Sequence, residues 1–233
     1  MTWIDSTNPA AILFDLDGVL TPTAELHRRA WAELFTPVLE EHQVAPYTEA
    51  DYYDHIDGKP RYDGVRDMLT ARGIEVGEDT VRELGDRKDA TFNEILEREG
   101  ITPYPASVRF LDAVTGRGIK VAVVSSSKNA VGVLTAAGLA DRFEVVIDGK
   151  VAAAEDLPGK PAPDTFQTAA DRLGVPQQES VVVEDALSGV RAGAAGDFAA
   201  VVGVDRGTGA DRLREAGADV VVTELDQLLA EGN

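Results

Sequence analysis

The chain has 233 residues, 44% of them hydrophobic and 27% charged, which is enough apolar content for one large domain or a domain carrying a smaller one. Twenty-two basic against 41 acidic residues give a net charge of −19, a balance that disfavours nucleic acid and anionic lipid as partners. An anionic substrate must therefore meet a local basic site or a bound cation. The absence of cysteine excludes disulfides, thiolate catalysis and cysteine metal sites. With neither a basic-then-apolar leader nor an apolar run of membrane length, the expectation is a soluble, cytoplasmic protein.

The first element is a strand, Ala10–Phe14, which ends in Asp15-Leu16-Asp17-Gly18-Val19-Leu20-Thr21. From Thr23 to Glu99 no strand pattern occurs, and several helices are expected with Pro37, Pro46 and Pro60 as punctuation. One begins near Asp79 with an apolar stripe of Val81, Leu84, Thr91 or Phe92, and Ile95, on which Lys88 also falls. After a return through Gly100–Pro105, Lys120–Val124 reads as a strand running into Ser125-Ser126-Ser127-Lys128-Asn129. A helical face follows at Ala130, Val133, Leu134 and Ala137, and another at Phe166, Ala169, Ala170 and Leu173. Glu144–Ile147, Ser180–Val183, Ala199–Val204 and Asp219–Val222 complete the strands, nearly continuous in apolarity as strands covered on both faces are. This alternation predicts an α/β fold: a Rossmann-like parallel sheet core with helices on both faces, from residues 1–22 and 100–233, plus an inserted helical cap domain from 23–99.

The chemistry gathers at strand ends. In an extended segment Asp15 and Asp17 share a face, so two carboxylates meet where open parallel sheets bind ligands; a polar turn is the plainer alternative. The hydroxyls and amides of Ser125–Asn129 suit phosphate oxygens, or equally cap a helix. Lys160 lies in a loop stiffened by Pro161 and Pro163, as an anion anchor or a solvated charge. Glu184-Asp185 offers hard oxygens for magnesium, or an N-cap for the helix from Ala186. Lys88 either snorkels from its stripe or serves a buried site.

The ordered set Asp-x-Asp-Gly-Val-x-Thr, Ser125, Lys160-Pro161 and Glu184-Asp185 resembles the haloacid dehalogenase superfamily over essentially the whole chain, with a cap of the helical type. Thr23-Ala24-Glu25-Leu26-His27, Ala30-Trp31, Arg87-Lys88, Ser125–Asn129 and Lys160–Asp164 are similar to the β-phosphoglucomutase-like group within it. The resemblance implies that Asp15 is the nucleophile and forms an aspartyl-phosphate, and that Asp17 is the acid and base. It implies Mg²⁺ held by Asp15, the Asp17 carbonyl and Asp185, with Glu184 in or behind that shell. Ser125 and Lys160 would hold the transferring phosphoryl group. His27, Arg61, Lys88, Ser127, Lys128 and Asn129 would meet the substrate, with Arg61 on a distal phosphate. The expected partner is a small phosphorylated molecule, a hexose phosphate, acted on by a monomer.

Two positions depart from the group's pattern. Asp57 stands where a basic residue is expected, and Pro22 replaces an acidic residue at the hinge into the cap. The expected reaction is conversion of β-glucose 1-phosphate to glucose 6-phosphate, with hydrolysis of a small phosphate monoester as the alternative favoured by Asp57. A metal-free dehalogenase would leave Asp17 and Glu184-Asp185 without purpose. A non-catalytic relative would be expected to lack Asp15, Asp17, Lys160 or Asp185, and none is missing.

Overall fold

The computed structural model describes residues 2–229. Its framework is a six-stranded sheet in which β1 (Ala11–Phe14) lies between β2 (Lys120–Val124) and β4 (Ser180–Glu184). Outside them run β3 (Val145–Ile147) on the β2 side, and β5 (Ala200–Val204) then β6 (Val220–Val222) on the other. Every pairing is parallel, and two short helices flank the sheet's strands in sequence, α1 (Trp3–Thr7) before β1 and α8 (Gly149–Ala154) after β3. The expected strand spans match to within a residue at either end.

All four residues of β1 are buried, which explains why the run lacks a polar alternation. Ile12 and Phe14 enter a cluster with Phe110 and Leu111 of α6 (Pro105–Thr115) and Val133 and Leu134 of α7 (Ala130–Ala136). Phe14 meets Phe110 and Phe143 edge-on at 6.1 and 6.3 Å, each contact contributing about 1 kcal/mol beyond the area it buries. Ala11 and Leu13 point the other way, towards Phe166, Ala169 and Ala170 of α9 (Asp164–Leu173), Val190 of α10 (Leu187–Ala195) and Leu213 of α11 (Ala210–Ala216).

Between β1 and α6 the chain is helical throughout its regular parts: α2 (Thr23–Glu41), α3 (Glu49–Asp51) continuing into a π-helical turn at Tyr52–Ile56, α4 (Arg61–Ala71) and α5 (Glu78–Glu99). This layer has its own buried cluster, including Trp31, Phe35, Ile56, Met68 and Leu84. Leu26 and Ala30 of α2 and Phe92 and Ile95 of α5 belong instead to the main core, so the two long helices join the layers. Pro37 differs from expectation: α2 runs through it to Glu41. Pro37 and Glu33 are exposed, so the carbonyl that loses its amide partner can be hydrated, while buried Leu34, Phe35 and Leu39 hold the helix in register.

Candidate active site

Strand order brings the C-terminal ends of β1, β2 and β4 side by side, where the chain switches from building one half of the sheet to the other. The register pairs Phe14 with Val123 and Val183, so Asp15 emerges between the ends of β2 and β4. Its amide extends the ladder by donating to the Val183 carbonyl at 2.9 Å. The chain then turns sharply: the Leu20 and Thr21 amides both donate to the Leu16 carbonyl at 3.0 Å, and Gly18 donates to the Thr21 carbonyl at 2.8 Å. Gly18 has φ of 88°, and a Cβ there would sit 1.9 Å from an Asp185 oxygen, so this turn requires glycine twice over.

Lys160 is 3% exposed and its ammonium spends all three donors on protein: Asp15 Oδ1 at 2.5 Å, Glu184 Oε1 at 2.7 Å and the Val124 carbonyl at 2.9 Å. Burial alone would lower its pKa, but the two carboxylates raise it, so it is a permanent cation. Glu184 is equally committed, since its other oxygen accepts from the Asp185 and Ala186 amides at 2.9 Å. The α10 N-cap is Ala186, without a side-chain capping bond, so Asp185 is not a helix cap.

Asp15, Glu184 and Asp185 each offer an oxygen within 4.8 Å of the others, and all three residues are buried. Burial pushes the Asp15 carboxyl up; Lys160 opposes this, while Glu184 and Asp17 add to it, leaving it well above the usual range. Asp185 is raised by burial and then by Asp57, Glu184, Asp15 and Asp17. One lysine thus fails to offset the negative charge, and the surplus sits on hard oxygens that fit a divalent cation such as Mg²⁺. Asp15 and Asp185 retain oxygen sites for it, whereas both Glu184 oxygens are already engaged.

Asp17 is held separately. Its Oδ1 accepts from Thr23 Oγ1 and lies 3.4 Å from His27 Nε2, and its Oδ2 lies 3.4 Å from Ser125 Oγ. Burial pushes Asp17 up, but the charge and hydrogen bond of His27, the Thr23 hydroxyl and Lys88 outweigh it and bring the carboxyl to about 2. His27 stacks on Phe92 at 4.1 Å, and its Nδ1 bonds the Lys88 ammonium. Lys88 is 4% exposed and does not snorkel; burial pulls it down to about 7, against the attraction of Asp17.

Over these groups lies a cavity lined by Asp15, Asp17, His27, Arg61, Lys88, Ser127, Lys128, Glu184 and Asp185 among others. Asn129 is not in the lining; it donates from behind to the lining residue Asp89 at 2.6 Å. In the serine cluster Ser125 Oγ accepts from the Ser127 amide and Ser127 Oγ from the Asn129 amide, both at 3.1 Å, and neither caps α7. Asp57 lies inside the cavity. Burial pushes it up to about 7 against a hydrogen bond from Tyr52, with Glu184 adding to the rise. Pro22 is the N-cap residue of α2 and gives it no side-chain bond. Sequence reasoning missed Thr23, Tyr52 and Asp89 as members of the site. Thr23 alone had a visible signal, as a hydroxyl six residues after Asp17 at a helix start.

Negative charge focused on one buried lysine, at the switch point of a parallel sheet and under a helical layer, defines an enzyme class of phosphotransferases and phosphatases. The model of the haloacid dehalogenase-like hydrolases matches residues 9–197, and the chain belongs to that family. It is 47% identical to a β-phosphoglucomutase of Mycobacterium bovis over 94% of this chain and 91% of that protein. It is 29% identical to a phosphorylated carbohydrates phosphatase of Thermotoga maritima, over 91% and 93% of the two chains. Among solved structures, a β-phosphoglucomutase from Clostridium difficile superposes with a TM-score of 0.79 at 26% identity, covering 94% of this chain and 93% of that one. Among the described residues no helix is long and apolar enough to cross a membrane.

Proposed function

We propose that the protein transfers the phosphoryl group of a sugar phosphate through an aspartyl-phosphate at Asp15, interconverting β-glucose 1-phosphate and glucose 6-phosphate. The observation that carries this is the division of labour between the two aspartates. Lys160 takes Asp15 Oδ1, which leaves Oδ2 for attack on phosphorus, while Asp17 is held apart by Thr23 and His27 as a proton carrier. Attack forms the Asp15 O–P bond and breaks the bond to the leaving oxygen, which takes a proton from Asp17. Arrival of the substrate's negative charge beside Asp17 raises its pKa and supplies that protonated form. In the second half Asp17 accepts the proton of the incoming hydroxyl, and the Asp15 O–P bond breaks. Lys160 and Ser125 offset the charge of the transferring group. Mg²⁺, held by Asp15, Asp185 and the Asp17 carbonyl, would add positive charge where the phosphoryl oxygens sit. Arg61 grips a distal phosphate, and closure of residues 23–99 over the site excludes water.

Asp57 favours the second reading, a sugar phosphatase. A carboxyl inside the cavity weakens its hold on a second phosphate, and without that hold water competes for the phosphoenzyme. The test is turnover of β-glucose 1-phosphate with Mg²⁺, with and without glucose 1,6-bisphosphate, beside Asp15→Asn. Glucose 6-phosphate from the wild type and a loss of about 10³-fold or more in Asp15→Asn are expected. Free phosphate with no isomer formed makes the protein a phosphatase, and unimpaired Asp15→Asn removes the nucleophile.

A further inference from the structure

Arg61 is not free in the cavity. Its Nη1 donates to the Gly85 carbonyl at 3.3 Å and lies 3.6 Å from Asp86 Oδ1, and its Nη2 lies 3.1 Å from Asp89 Oδ1. That same Asp89 oxygen accepts the Asn129 amide at 2.6 Å. Arg61 and Asp89 belong to the cap, on α4 and α5, whereas Asn129 belongs to the core loop that follows β2. One carboxylate oxygen therefore joins the arginine to the opposite layer. Two further contacts bind this loop to the same stretch of cap: Ser126 Oγ donates to the Gly58 carbonyl at 2.9 Å, and the Lys128 ammonium lies 5.0 Å from the Tyr62 ring centre. The first does not pass through a partner of Arg61. The Tyr62 ring does touch it, 5.6 Å from the guanidinium, and its hydroxyl donates to Asp86, so Lys128 adds a second link between Arg61 and the core.

We propose that Asp89 is a positioning residue that makes the orientation of Arg61 conditional on cap closure. It rests on the reading of Arg61 as the contact for the distal group of a phosphorylated sugar. A guanidinium has five N–H groups, and the bonds to Gly85 and Asp89 fix its plane while leaving others for an incoming anion. When the cap swings away, Asn129 leaves with the core and Asp89 loses one of the two donors that hold its rotamer. Arg61 then regains rotational freedom, and ordering it falls to the substrate. With the cap shut, Asn129 and Arg61 hold the carboxylate from both sides, so closure and presentation of the guanidinium become one event. Asp89 touches no reacting atom in this scheme and acts through Arg61.

The experiment compares Asp89→Ala, Asp89→Asn, Arg61→Ala and the Asp89→Ala/Arg61→Ala double variant. Each is assayed on β-glucose 1-phosphate and on acetyl phosphate, a phosphodonor with no sugar to reach Arg61. Asp89→Ala is expected to raise KM for the sugar phosphate about tenfold more than KM for acetyl phosphate, as loss of a charge-assisted hydrogen bond implies. Asp89→Asn keeps an acceptor oxygen in place and should recover most of that selectivity. In the Arg61→Ala background, removing Asp89 should add nothing. Equal losses on the two substrates, no recovery in Asp89→Asn, or additive losses in the double variant overturn the proposal. Wild type that turns over acetyl phosphate but not the sugar phosphate instead overturns the reading of the substrate on which it rests.

Discussion

Lys88 is a lysine inside an apolar stripe, with its ammonium 5.1 Å from the Trp31 ring centre and 5.0 Å from that of Phe92. Burial costs the charged form more than these faces and Asp17 return, so its pKa falls from 10.5 to about 7. Between those values the unfolded chain binds the additional proton, so stability rises with pH across that window and the burial penalty is complete only below it. Lys88→Met, of similar length and apolar, removes the penalty. It should be more stable than wild type at pH 7 by on the order of 2 kcal/mol, with the advantage shrinking towards pH 10. Activity should fall about tenfold or more, because the His27 imidazole then has nothing to hold its Nδ1 and Asp17 loses its orientation. Urea unfolding at both pH values decides this, and a Lys88→Met variant less stable than wild type at pH 7 would contradict it.

At the scale of elements, two helix glycines should answer oppositely to the same change. Gly132, exposed in α7, has open space where a Cβ would go, so Gly132→Ala should stabilise by about 0.5–1 kcal/mol through backbone entropy and helix propensity. Gly85 lies inside α5, but a Cβ there would meet the Tyr62 ring at 2.7 Å and Arg61 Cδ at 3.3 Å. Gly85→Ala should therefore gain nothing in thermal unfolding and raise KM for a sugar phosphate, since the ring and the arginine must move. Equal stabilisation by both changes would show that α4 and α5 yield easily here. The contrast also marks the reach of sequence reading. Valine-rich strands and the acidic ends at Asp15 and Asp185 were legible because one strand and its turn decide them locally. Lys160 stood out only as a lysine between prolines in a loop, and its partners Asp15 and Glu184 lie on other elements. Lys88 was legible as an anomaly, since a charge on an apolar stripe stands out by spacing alone. Asp89 was not: on the pattern of α5 it belongs to a solvated face, and its partners, Arg61 of α4 and Asn129 of the loop after β2, come from other elements. Pro37 misled for the converse reason, because an exposed helix face can hydrate the carbonyl that a proline orphans.

At the scale of the whole molecule, the net charge of −19 faces an anionic substrate. The cations around the cavity do little against that field at long range, because most are already paired. Lys59 bonds Asp67 at 2.6 Å, Arg61 lies between Asp86 and Asp89, and Lys160 is buried against Asp15 and Glu184. Attraction is thus confined to the last few ångströms, while repulsion acts over the Debye length, about 30 Å at 10 mM salt and about 8 Å at 150 mM. Raising an inert salt from about 10 to about 150 mM, at fixed saturating free Mg²⁺, should therefore increase kcat/KM for a sugar phosphate by roughly two- to fivefold. With substrate saturating, kcat should barely move, because the field acts on encounter rather than on the bound complex. An enzyme that steers its substrate by a basic mouth slows with salt, so a fall in kcat/KM would mean that Lys128 and the bound cation dominate the field at the cavity's entrance.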